Sequence, residues 1–219
     1  MYSDVVNGTS PQWMFVTPNM VNDAHDTTID FAASFLEYWL LPLLTDPLVN
    51  DNETLILLTF DETETYTIQN NMFAVALGGA IPLKLRGTTD GTMYTHYSTL
   101  STVQANWGLK NFGPQDTNAT VSDVFAFVAA KTGYRNVDVP ASEMPEFNLT
   151  GVVSGAMTSA HYTLFVTPNL KAKGASGGPV LLRPGLNTKL TPGALPPPVN
   201  MMALDRTTPI IACEDAGCA

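Results

Sequence analysis

Apolar positions along the chain fall into short runs divided by polar turns, and the period changes from run to run. Residues 13–16 (Trp-Met-Phe-Val) are an uninterrupted apolar run closed by Thr17-Pro18-Asn19, which predicts a buried strand ended by a turn. After a polar loop, Ile29, Ala32, Ala33, Leu36 and Leu40 recur at helical spacing, with Phe35 and Trp39 widening the face. Asp26 or Thr27 is placed to cap this helix, and Pro42 is expected to end or kink it. Residues 54–60 (Thr-Leu-Ile-Leu-Leu-Thr-Phe) are apolar on both faces, as in a central strand of a helix-covered parallel sheet. This run stops at Asp61-Glu62-Thr63-Glu64. Residues 72–77 form another apolar run, stopped by Gly78-Gly79. A helix is expected to start at Ser98 or Thr99 and to run through Leu100, Val103 and Trp107 to Gly108.

Strand, helix, strand, strand, helix in this order predicts an α/β layer architecture with a mainly parallel sheet flanked by helices. Beyond residue 115 the pattern weakens. Residues 122–131 read as a short helix with Gly133 just past its end, and residues 162–166 and 180–182 read as strands, giving a less regular segment with β content. Residues 184–200 are rich in Pro and Gly and predict an extended surface segment. Gly174-Ala175-Ser176-Gly177-Gly178 lacks the Lys of a phosphate-binding loop and reads as a turn. There is no internal repeat.

Composition narrows the function classes. With 219 residues, 45% of them apolar, the chain can bury a core. No apolar window approaches the roughly 18 residues that span a bilayer, so a soluble protein without a membrane span is expected. The net charge of −10 argues against a nucleic-acid partner, because phosphate backbones are neutralised by Lys and Arg. An acidic protein that handles a phosphate ester has to mask its own field locally, and a bound cation does that. Sequons at Asn7, Asn52, Asn118 and Asn148 point to a glycosylated, secreted protein, with chance occurrence in an Asn- and Thr-rich chain as the other reading. Met1-Tyr2-Ser3-Asp4 has neither a basic nor an apolar leader region, so no signal peptide is read in this chain. Cys213 and Cys218 either close a small tail disulfide or stay free.

Three polar clusters follow the predicted strands: Asn19 with Asp23, His25 and Asp26 after the first, Asp61 and Glu62 after the second, and His96 after the third. In open α/β sheets ligands gather beyond the carboxyl ends of the strands, so these clusters are expected to converge. Adjacent carboxylates after a buried strand are costly unless they share a cation or a proton, and hard oxygens suit a divalent metal ion. The same pair also reads as a solvated acidic turn. His25 can ligate a metal, bind phosphate as imidazolium or act as a general acid; it can equally be a loop histidine beside a capping Asp. His96 lies near a helix start, which suits either an anion site or plain capping. His161 reads as structural.

The runs Phe15-Val16-Thr17-Pro18-Asn19, Asn22-Asp23-Ala24-His25-Asp26, Thr59-Phe60-Asp61-Glu62-Thr63-Glu64, Gly87-Thr88-Thr89-Asp90, Tyr94-Thr95-His96-Tyr97-Ser98 and residues 101–109 resemble fungal acid phosphatases. These belong to the phosphoesterase family, which also includes bacterial phospholipases C. The resemblance covers residues 13 to about 117 and is looser beyond. It implies part of an alkaline-phosphatase-like sandwich, with residues 1–117 as the C-terminal part of the catalytic domain and 118–219 as its extension. It implies acid hydrolysis of phosphate monoesters, with Asp61 and Glu62 as ligands of a divalent metal ion of unspecified identity. His25 and His96 would contact phosphate or move protons, and Asn19, Asp23 and Asp26 would line the substrate site. The family's early acidic stretch and its Ser or Thr nucleophile have no counterpart here and are expected upstream. Two alternatives stand beside this reading: a phosphodiesterase or phospholipase C-like hydrolase, and a non-catalytic remnant. The isolated chain is expected to expose sheet edge and to self-associate.

Overall fold

The computed structural model describes residues 1–65, 67–113, 115–143 and 169–185. The chain divides into two compact units, Met1–Gly91 and Thr92–Ala219.

The first unit carries α1 (Tyr2–Val6), α2 (Ile29–Thr45), β1 (Ile56–Thr59) and β2 (Ala74–Leu77). Helices and a small sheet make the chain α/β, but β1 and β2 pair antiparallel, with Ile56 opposite Leu77 and Thr59 opposite Ala74. This corrects the expectation that these two runs are parallel neighbours. Parallel neighbours are usually joined through a crossover helix, and the described residues between Thr59 and Ala74 contain none. Neither strand is fully buried: β1 is half-buried along Ile56, Leu57 and Leu58, and β2 alternates exposed and half-buried. The apolar run at 13–16 is also corrected. It forms no strand, and Phe15 is 81% exposed. Hydrophobicity alone does not make a strand; a ladder partner is also required.

Helix α2 starts at Thr28, whose side chain accepts from the Phe31 amide, two and one residues after the expected caps. It runs through Pro42 to Thr45, so the proline does not end it. The last turn tightens, with Asp46 N donating to Leu43 O at 3.3 Å and Thr45 Oγ1 to Pro42 O at 2.9 Å. Ala32, Leu40 and Leu43 are buried, while Phe31, Tyr38 and Leu41 are exposed on the other side. Phe35 and Trp39, one turn apart, stack at 5.9 Å.

Asn50 ties this helix to the sheet. Its Nδ2 donates to Leu44 O at 2.8 Å, covering a helix-end carbonyl, and its Oδ1 accepts from Gly79 N at 2.8 Å. The Gly78-Gly79 stop is needed at close quarters. Gly78 has φ +103, and a Cβ on Gly79 would lie 2.0 Å from Asp51 O.

The second unit carries α3 (His96–Trp107), α4 (Ala126–Thr132) and a 3₁₀ turn at Gln115–Thr117. Helix α3 begins two or three residues earlier than expected, at His96. Thr95 caps it by accepting from Tyr97 N, and Ser98 returns its side chain to the Thr95 amide in a capping box. Gly108 ends it at φ 66, as the sequence predicts. Its buried face is not formed by Leu100, Val103 and Trp107. Ser98, Ser101, Thr102 and Gln104 are buried, and Trp107 is 40% exposed. Small side chains at positions 98, 101, 102 and 105 allow close approach. Val124, Val128 and Ala129 pack with Ala105, Phe125, Phe127 and Tyr134 as the apolar core. Helix α4 is shorter than the predicted 122–131 segment. Its first amides are served from afar: Phe125 N donates to Thr102 Oγ1 at 3.0 Å and Ala126 N to Tyr94 Oη at 2.9 Å.

Residues 174–178 form a turn held to residues 109–111, with Ser176 Oγ donating to Leu109 O and Asn111 Nδ2 to Gly178 O at 2.9 Å. Of the strand expected at 180–182, a single parallel bridge between Asn111 and Val180 is present. The strand expected at 162–166, His161, Asn148, both cysteines and most of the 184–200 segment lie outside the described residues.

Asp123 gives the second unit a pH dependence. Its carboxylate is buried and accepts from Val137 N at 3.0 Å. Burial, joined by the nearby charge of Asp138, raises its pKa above the usual 3.8. A carboxyl whose pKa is raised by folding favours the protonated state. Its contribution is therefore most favourable below 3.8 and is lost as pH rises through the elevated value. Asp123→Asn keeps the Oδ1 acceptor and removes the charge. Thermal melts from acidic to neutral pH should show the variant gaining on the parent as pH rises, with the two converging at the acid end. A gap that stays constant across this range would refute the account.

Candidate functional site

The loop between residues 19 and 28 is the best-formed of the candidate clusters. Asn22 N donates to Asn19 Oδ1 at 3.0 Å and to Asn19 O at 2.9 Å, and Asp23 N also reaches Asn19 O. His25 N donates to Asp23 Oδ1 at 2.9 Å, Asp26 N to Met20 O at 2.8 Å, and Thr27 Oγ1 to Val21 O at 2.6 Å. The structure thus brings Asn19, Asp23, His25 and Asp26 into one turn. Asn19 and Asp23 spend side-chain acceptors on shaping it, as Asn and Asp do in turns. His25 and Asp26 are exposed. Sequence reading missed the conformation of Ala24, which has φ +77; no alternation or spacing signals it.

Asp61 and Glu62 sit on the turn that follows β1, and both are exposed. Glu62 N donates to Asp61 Oδ1 at 3.0 Å, and Thr63 N donates to Asn70 Oδ1 at 2.7 Å, which closes the turn across seven residues. Hard carboxylate oxygens suit a divalent cation in kind. In number they fall short: among the described residues no three His, Cys, Asp or Glu side chains are grouped so as to hold a metal ion. The pair alone does not make a closed coordination shell.

His96 is the first residue of α3 in the second unit, exposed and next to the Thr95 cap. The turn carrying Asp61 and Glu62 and the loop carrying His25 belong to the first unit.

Sequence reading also missed the buried polar cluster of the second unit. Asp116 is 2% exposed and accepts from Gln104 Nε2 at 2.8 Å, Phe112 N at 2.6 Å and Gly113 N at 3.0 Å. Ser101 Oγ, Gln104 Oε1 and Asn111 Oδ1 are buried in this unit without a hydrogen-bond partner among the described residues. Helical spacing of Ser101 and Gln104 was the available sign, but polar residues at such spacing ordinarily mark a solvated face. Among the described residues no helix is long and apolar enough to cross a membrane.

Comparison with known proteins places these loops in context. The chain is 46% identical to an acid phosphatase of Aspergillus fumigatus over 173 residues, which is 78% of this chain and 37% of that protein. It is 42% identical to an acid phosphatase of Aspergillus niger, over 82% of this chain and 42% of that protein. It is also 42% identical to a phosphate-repressible acid phosphatase of Penicillium chrysogenum, over 80% of this chain and 41% of that protein. The chain thus spans about two fifths of the length of these relatives. No solved structure matches it. The Phosphoesterase family model matches residues 1–110, a stretch that contains the His25 loop, the Asp61-Glu62 turn and the start of α3 with His96, and on that match the chain belongs to the phosphoesterase family.

Proposed function

We propose that this chain contributes to an acid phosphatase that hydrolyses phosphate monoesters at acidic pH. The observation that carries this is identity of 42–46% across about four fifths of the chain with three proteins named acid phosphatases. In this reading Asp61 and Glu62 supply part of the shell of a divalent metal ion. When bound, that ion would mask the substrate's negative charge and lower the pKa of an attacking hydroxyl. His25 and His96 contact the phosphate or exchange a proton with the leaving group, and Asn19, Asp23 and Asp26 shape and line the substrate loop. The nucleophile and the remaining metal ligands are contributed from outside these 219 residues, in keeping with the two-fifths coverage of the relatives. The antiparallel β1–β2 pair is proposed as one margin of an alkaline-phosphatase-like sandwich with a mainly parallel sheet. Residues 1–117 would be the C-terminal part of its catalytic domain and 118–219 an extension. Glycosylation at Asn7, Asn52, Asn118 and Asn148 and an extracellular location complete the proposal; Asn7, Asn52 and Asn118 are exposed.

A chimera tests it. The 173 residues of the Aspergillus fumigatus acid phosphatase that align with this chain are exchanged for the chain's own. The chimera is expected to hydrolyse p-nitrophenyl phosphate at acidic pH and to lose activity on treatment with a chelator, while the 219-residue chain alone is weak or inactive. A folded chimera inactive on the monoester would sink the reading. Preference for bis(p-nitrophenyl) phosphate would move it to a phosphodiesterase.

A further inference from the structure

The geometry points to Ala24 as a positioning residue for His25. Among the described residues Ala24 is the one non-glycine with positive φ, at +77, and it directly precedes the exposed imidazole. For an L-residue with a Cβ this region is unfavourable, and such a conformation persists where its surroundings over-determine it. They do so here from both sides. Upstream, the Asn22 and Asp23 amides close on Asn19 O. Downstream, the His25 amide closes on Asp23 Oδ1, Asp26 N on Met20 O and Thr27 Oγ1 on Val21 O. Reversal of the chain at Ala24 lets the Asp23 carboxylate accept from the amide two residues on, which fixes the backbone from which the His25 ring projects. With Ala24 in the ordinary right-handed or extended region, the His25 Cα–Cβ bond would leave the loop in another direction. The turn is thus a rigid mount for an imidazole presented to a small anion, with phosphate as the chemical class; the choice of anion rests on the functional reading above.

The test is an NMR titration of the 15N-labelled 219-residue chain with inorganic phosphate, read at the His25 imidazole and at the His25 amide. In the parent chain phosphate is expected to shift the imidazole resonances. Ala24→Gly, which adopts positive φ freely, should keep that response. Ala24→Val, whose β-branched side chain resists it, should weaken phosphate binding at His25 by about tenfold and speed exchange of the His25 amide, with little change in the melting midpoint. Thr27→Val, lacking the bond to Val21 O, should fall between parent and Ala24→Val; it decides the matter if Ala24→Val does not fold. A folded Ala24→Val chain with the parent's imidazole spectrum and phosphate response would overturn the proposal. If the parent itself does not respond to phosphate, the anion role of His25 fails. The positioning role is then decided by the phosphate-free imidazole spectrum, which Ala24→Val must alter and Ala24→Gly must preserve.

Discussion

Asp61→Ala is expected to lower turnover of p-nitrophenyl phosphate in the chimeric enzyme by about a hundredfold or more, because charge stabilisation by a bound metal contributes several kcal/mol to the barrier. The same change should leave the melting temperature almost unmoved. Asp61 is exposed on a turn, where substitutions ordinarily alter stability by about 0.5 kcal/mol or less. A large loss of turnover without a loss of stability would therefore separate a ligand from a structural carboxylate. Asp61→Asn refines the test. It keeps one oxygen donor and the backbone contact from Glu62 N, but drops the charge, so activity between parent and Ala is expected, with partial recovery at high metal concentration. Calorimetric titration with Mg²⁺, Ca²⁺ and Zn²⁺ gives a readout independent of turnover. Unchanged turnover in Asp61→Ala would refute the ligand assignment and favour the solvated acidic turn that the sequence equally permits.

Asp116→Ala is expected to destabilise the second unit by about 3–5 kcal/mol, enough to unfold a domain of ordinary stability. The carboxylate is buried and accepts three hydrogen bonds, two from backbone amides and one from Gln104. Removing it strands three donors at once, two in buried bonds and one part-buried, and each buried one costs the desolvation of an unpaired group. Ser101 Oγ, Gln104 Oε1 and Asn111 Oδ1 are acceptors without a partner among the described residues, so the loss is reduced only if a stranded donor shifts to reach one of them. Asp116→Asn should cost less than Ala but still about 2 kcal/mol, since its amide NH₂ opposes one donor if it takes the Oδ1 place and two if it takes the Oδ2 place. Urea unfolding followed by near-ultraviolet circular dichroism measures both. A midpoint unchanged in Asp116→Ala would mean that the three donors find other acceptors and that the cluster is not a structural centre.

How far the fold was legible follows from these residues. The stop at Gly108, the helix after the His25 loop and the strand runs at 54–60 and 72–77 were all readable, since capping and apolar periodicity act over a few neighbours. The pairing direction of β1 and β2 was not, because an apolar run fits a parallel or an antiparallel ladder equally well. Pro42 does not end α2, because a proline penalty of local origin is outweighed when a helix end is held by other contacts, here Asn50 on Leu44 O. In the candidate site the residue types were legible and the conformation was not. His25 and its acidic neighbours could be picked out by chemistry, but the left-handed turn at Ala24 could not, since nothing about alanine announces it.

The sequence alone determined the presence of α2 and α3, the glycine stops, the acidic turn after β1 and membership of a phosphoesterase lineage, all of which reside in short contiguous strings of side chains. Tertiary structure alone decided that α3 buries serine, threonine and glutamine in place of its larger apolar residues, and that Asp116 is a buried acceptor of three bonds. The physical reason is that a polar side chain may be buried or solvated according to whether distant donors meet it. Phe125 N reaches Thr102 Oγ1 across 23 residues, and Gly178 O meets Asn111 Nδ2 across 67, distances over which no local pattern carries information.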